Sequence, residues 1–110
     1  MSEKYRVERD GEKDLVFEGE IVASVDGRIV AGREMNRWDE YTLYKTLKGK
    51  YILEHQYITL WQGERNLNEA WIGDDPAETL KKAGFDQVQI PRLIKDLAKE
   101  AGIDIAEHVE

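Results

Sequence analysis

The sequence predicts an α+β fold: an antiparallel sheet of about four or five strands drawn from the N-terminal two-thirds, with two or three C-terminal helices packed on one face. Three observations lead there. Leu15, Phe17, Gly19, Ile21, Ala23 and Val25 fall at every second position, the period of a half-buried strand. Two segments rich in aromatic and β-branched residues flank the connection Leu47-Lys48-Gly49, which is the pattern of a hairpin. Beyond residue 75 the apolar residues change to helical spacing between capping residues.

The elements follow in chain order. Residues 1–14 are polar, although Tyr5 and Val7 suit an edge strand facing a core. In the strand that follows, Val16 and Val22 break the alternation, and Gly19 marks a bulge or a close backbone approach. Asp26-Gly27 reads as a tight turn, since glycine tolerates positive φ, and Ile29-Val30-Ala31 as the start of a return strand. The hairpin spans Trp38–Thr46 and Lys50–Trp61. On its return strand Tyr51, Leu53, His55 and Tyr57 share one face, and Ile52, Glu54, Gln56 and Ile58 the other. Asp75-Pro76-Ala77-Glu78 carries an N-cap, a proline at N1 and a glutamate at N3. Ala77, Leu80 and Ala83 form its apolar stripe, and Gly84 stops it. A second helix opens at Pro91, lines up Leu93, Ile94, Leu97, Ala98 and Ala101, and ends at Gly102; Asp104–Glu107 could start a third.

At 110 residues the chain makes one domain, residues 1–110. It has no cysteine, so neither a disulfide framework nor a thiolate metal site is available. No apolar run approaches a membrane span and the polar N-terminus is no signal peptide, which predicts a cytoplasmic location without a membrane. Sixteen basic residues stand against 23 acidic ones, a net charge of −7. That balance argues against direct nucleic-acid binding, which relies on cations to neutralise phosphates.

The inventory for chemistry is short. Serine nucleophiles lack an elbow pattern, and neither G-x-x-x-x-G-K-[ST] nor G-x-G-x-x-G occurs. Metal ligands do not converge at workable spacing, so no metal and no cofactor is expected. Of the two histidines, His108 lies close to the end, while His55 sits mid-strand. The aromatics are denser. Trp38, Tyr41, Tyr44, Tyr51, Tyr57, Trp61 and Trp71 fall within 34 residues, interleaved with Arg37, Lys45, Lys48, Lys50 and Arg65. Such residues fill sheets and cores, and they also dominate interface hot spots.

The run Arg37-Trp38-Asp39-Glu40-Tyr41-Thr42-Leu43-Tyr44-Lys45-Thr46, then Gly49, Tyr51 and Ile52, resembles a pattern in small bacterial proteins without an assigned activity: R-W-x-E-x-x-L-Y-x-T, a glycine turn, then Y-[VI]. Trp61-Gln62-Gly63-Glu64-Arg65 and the ending from Leu97 to Glu110 resemble the same group, so the likeness covers roughly residues 37–110. It implies a bacterial single-domain protein and carries over no functional residue.

The leading expectation is therefore a non-enzymatic binding or regulatory module. Its contact residues are Trp38, Tyr44, Tyr57, Trp61, Arg37 and Arg65, and its partner is another protein or a second copy of the chain. One alternative is a small enzyme using His55 with a carboxylate such as Glu40 or Glu54. Another is an acidic decoy of nucleic acid, with one negative face over residues 66–110, where ten acidic residues face five basic ones.

Overall fold

The structure, a computed structural model, describes residues 2–28, 36–85 and 91–103. Five strands, β1 (Glu3–Val7), β2 (Leu15–Asp26), β3 (Arg37–Thr46), β4 (Tyr51–Thr59) and β5 (Leu67–Gly73), form one sheet in the order β1-β2-β3-β4-β5. Every neighbouring pair is antiparallel. Two helices follow, α1 (Pro76–Lys82) and α2 (Arg92–Ala101), completing an α+β fold. Among the described residues no helix is long and apolar enough to cross a membrane. The expected return strand at Ile29–Ala31, the third helix at Asp104–Glu107 and His108 lie outside the described residues.

The hairpin forms as its residue types predict. Thr46 closes the turn, its amide donating to the Lys50 carbonyl at 2.8 Å and its hydroxyl accepting from the Lys50 amide at 3.0 Å. The return strand ends at Thr59, two residues short of the expected Trp61, because the Thr59 amide is taken by the Asn66 side chain at 2.9 Å. The sequence pattern marks no separate strand at β5. Its alternation is short and weak, with only Ala70 and Gly73 buried.

β2 departs from the simple alternation in an informative way. Up to Ile21 its odd positions face the side of Tyr44, but a register irregularity between Ile21 and Ala23 turns Ala23 and Val25 to the side of Leu43 and Tyr41. One strand thus serves both faces of the sheet. Gly19 lies at a close approach, since a Cβ there would collide with the Lys45 carbonyl oxygen. In place of the expected tight turn at Asp26-Gly27, the described residues Gly27 and Arg28 begin a helix, with Asp26 Oδ1 accepting from the Arg28 amide at 2.8 Å as an N-cap and no positive φ at Gly27. Gly27 is instead needed where the Asp39 carbonyl passes 2.8 Å from the place a Cβ would occupy.

Two apolar clusters result. In the first, Ala23, Tyr41, Leu43 and Leu53 pack with Leu80 of α1 and Ile94 and Leu97 of α2. The helices are defined by their caps: Asp75 Oδ1 accepts from the Glu78 amide at 2.7 Å, and Gly102 adopts φ 72° after α2. In the second, Val7, Tyr44, Ile52 and Ala70 pack with Tyr5, Leu15, Phe17 and Ile72. The sheet curls around this second cluster. Its two ends meet where the Asp10 amide donates to the Asn68 carbonyl at 2.8 Å and the Asn68 amide to Asp10 Oδ2 at 2.9 Å.

Candidate functional site

Directly paired residues of neighbouring strands share a face, which assigns the expected contact residues to places. Arg37 pairs with Thr59, Asp39 with Tyr57, and Tyr57 with Leu67, so these lie together at the end of the sheet that leads into the β4–β5 connection. Trp61 follows in that connection and is 53% exposed, beside the exposed Leu60 and Leu67. Arg37, Tyr57 and Trp61 are thereby brought together. Trp38 and Tyr44 are not: both are buried and lie on the opposite face. Arg65 is exposed in the same connection as Trp61.

Trp61 is exposed but held. The Arg37 guanidinium lies over its ring at 5.2 Å and is fixed by two bonds to Glu64, from Nε at 2.9 Å and from Nη2 at 2.7 Å. Thr59 completes the network, its hydroxyl donating to Glu64 at 2.6 Å and accepting from the Trp61 amide at 3.2 Å. The Arg37 guanidinium, helped by the Thr59 hydroxyl, holds the Glu64 carboxyl below the usual carboxylate range. A lone surface ion pair contributes little. A bidentate pair supported by a hydroxyl and a ring fixes geometry as well as charge.

Deeper on the same face His55 joins three strands. Its Nε2 meets Asp39 of β3 at 2.7 Å, its Nδ1 meets Glu69 of β5 at 3.1 Å, and its ring stacks on Tyr41 at 4.6 Å. The carboxylates within its reach are therefore Asp39 and Glu69. Glu40 and Glu54, the partners expected from sequence, lie on the other face because they alternate with Asp39 and His55. Both ring nitrogens lie within hydrogen-bond reach of a carboxylate, so the ring ties β3 and β5 to β4. Burial, reinforced by the charges of Asp39 and Glu69, pushes the Tyr41 hydroxyl up to about 12, so it remains a neutral phenol. Among the described residues no group of three His, Asp or Glu side chains is arranged to hold a metal ion.

On the opposite face Trp38 donates from Nε1 to Glu40 at 2.8 Å, with the Arg28 guanidinium 4.5 Å from its ring centre. Tyr44 donates to Glu54 at 2.8 Å. Burial raises the Glu54 carboxyl above its ordinary value. The charges of Glu40 and Glu8 add to the rise, and the Tyr44 bond opposes it.

The described part of residues 66–110 carries charges of both signs, Glu78 with Lys82 at 3.1 Å and Asp96 with Arg92 at 4.0 Å. Asp74 is taken by Lys50 at 2.6 Å.

The chain matches no family model, no curated protein and no solved structure.

The sequence reading missed Thr59 and Glu64, which hold Arg37 and Trp61 in place. A signal existed in the basic-acidic spacing of Arg37 and Glu64, but 27 residues separate them, and only the return of β4 makes them neighbours.

Proposed function

We propose that the protein is a non-enzymatic binding module that takes a protein partner at the end of the sheet formed by Trp61, Tyr57, Arg37, Leu60 and Leu67. One observation carries this reading: a largely exposed tryptophan fixed in place by a bidentate Arg37–Glu64 pair and Thr59. Exposed aromatic rings ordinarily lose rotamer freedom on binding, and a ring ordered beforehand spares that cost. Tryptophan and arginine are also the residue types that most often dominate interfaces. Trp38, paired with Ile58 on the opposite face, lies behind this end of the sheet as its support, Tyr44 belongs to the cluster at the other end of β3, and Arg65 extends the rim.

The expected setting is a bacterial cytoplasm, supported by the absence of cysteine and by the resemblance of residues 37–110. The two helices cover one face of the sheet in this reading, supported by the packing of Leu80, Ile94 and Leu97 with Ala23, Tyr41, Leu43 and Leu53. The second reading, a small enzyme, draws support from the Asp39–His55–Glu69 arrangement, yet the engaged nitrogens favour a clamp across three strands.

The test is capture of partners from a cell lysate by the tagged native chain and by Trp61→Ala, with sedimentation of the purified protein alongside. The reading expects a partner retained by the native chain and lost by a Trp61→Ala variant that keeps its circular dichroism spectrum. A partner retained equally by both chains overturns this surface.

A further inference from the structure

The second cluster is open at one end, and the reason lies in the strand lengths. β2 pairs with β3 only from Gly19 onward, so residues 15–18 have β1 as their sole strand neighbour. The last link across is the Leu47 amide donating to the Glu18 carbonyl at 2.9 Å. Where β3 turns away, a cleft of about 470 Å³ remains, walled by Leu15, Phe17, Leu47, Ile52 and Ile72. It lies at the β3–β4 turn, the opposite end of β4 from Trp61.

We infer that this cleft binds a small amphipathic carboxylate, its aliphatic body among Leu15, Phe17, Ile52 and Ile72 and its head group at Lys48. Four features support this occupant. The volume falls in the range of about 300–1,000 Å³ typical of small-molecule sites, for which the mouth of a curled or closed sheet is a favoured place. The wall is aliphatic and aromatic, and its lips leave Leu47 65% and Val16 53% exposed, apolar surface that an aliphatic chain would remove from water. Two of the three charged residues on the lining are lysines. Lys50 is occupied by Asp74 at 2.6 Å, whereas Lys48 makes no ion pair among the described residues. Glu18 lies at the opposite lip and turns the choice of head group into a measurable preference.

The experiment is an NMR titration of the full chain with decanoate, decanol and decylamine, followed at the methyl groups of Leu15, Leu47, Ile52 and Ile72. Decanoate is expected to saturate a single site, to shift these methyls and to bind more tightly than decylamine. Lys48→Glu, a change at an exposed position, should weaken decanoate about fivefold, the upper range for one surface charge contact, and should leave decanol unchanged. Leu47→Glu should weaken decanoate and decanol. Trp61→Ala should bind decanoate as the native chain does, so that failure at one end of the molecule is separable from failure at the other. Three results overturn the inference: no saturable shift with any of the compounds, a preference for decylamine, or cleft methyls that shift with protein concentration because a second copy occupies the cleft.

Discussion

The two faces of the sheet are built from the same strands and are closed in different ways. Against the helices, Leu43, Leu53 and Ile94 are completely buried. On the other face neither α1 nor α2 contributes to the cluster, and the sheet curls on itself, leaving Leu15, Phe17 and Ile72 only partly covered around Tyr44 and Ile52. A helix seals a face along its whole length, whereas a curled sheet seals only as far as its strands overlap. The bulge in β2 lets one strand contribute to both arrangements, with Phe17 on the curled face and Ala23 on the helical one. The contrast places the sealed cluster under the helices and the open cleft on the curled face, while the exposed Leu67 belongs to the helical face at the end of the sheet away from the β3–β4 turn.

This contrast can be broken by substitution. The largest effect is expected at Leu53→Ala, which opens a cavity in the sealed cluster and should cost about 3 kcal/mol in urea unfolding. Ile72→Ala, at the open end of the other cluster, should cost less than half as much, because water already reaches the site. Equal losses would show that the two faces are sealed alike. Next comes Gly19→Ala. Its Cβ would meet the Lys45 backbone, which cannot move without separating β2 from β3, and about 2 kcal/mol should be lost.

The smallest expected effect concerns Glu54, which lies beneath the curl. Its carboxyl is raised in the folded chain above the ordinary 4.5, first by burial and then by Glu40 and Glu8. The folded state therefore holds the proton more tightly than the unfolded state, and stability falls as the pH rises from about 4.5 through the raised value. Glu54→Gln keeps an acceptor for the Tyr44 hydroxyl and removes the charge. It should raise stability at pH 7 by under about 1 kcal/mol and give no gain at pH 4. A loss at pH 7 would show that the ionised carboxylate is stabilising where it stands.

Much of the fold was legible because its signals are local. Asp75, Pro76 and Gly102 mark helix ends through their own backbone chemistry, and the aromatic run of the hairpin declares its strands. The even spacing of Leu15 through Val25 was misleading for a physical reason. A bulge inserts one residue and reverses every side chain beyond it, and Val22 resembles any other strand residue. The candidate site was legible in part. Trp61, Tyr57 and Arg37 stood out by type, but type alone cannot separate the exposed Trp61 from the buried Trp38, which differ through a single step of strand parity and a turn. The pairing of His55 with Asp39 and Glu69, in place of Glu40 or Glu54, likewise depends on register, which the sequence sets only through packing.

The most direct test of the binding surface is the mobility of the Trp61 indole, measured by nitrogen relaxation of its side-chain N–H in the native chain and in Arg37→Ala. A ring held by Arg37, Glu64 and Thr59 should show an order parameter of about 0.8, comparable to rigid backbone, and should fall below about 0.6 when Arg37 is removed. An indole already below about 0.6 in the native chain would contradict a preformed anchor.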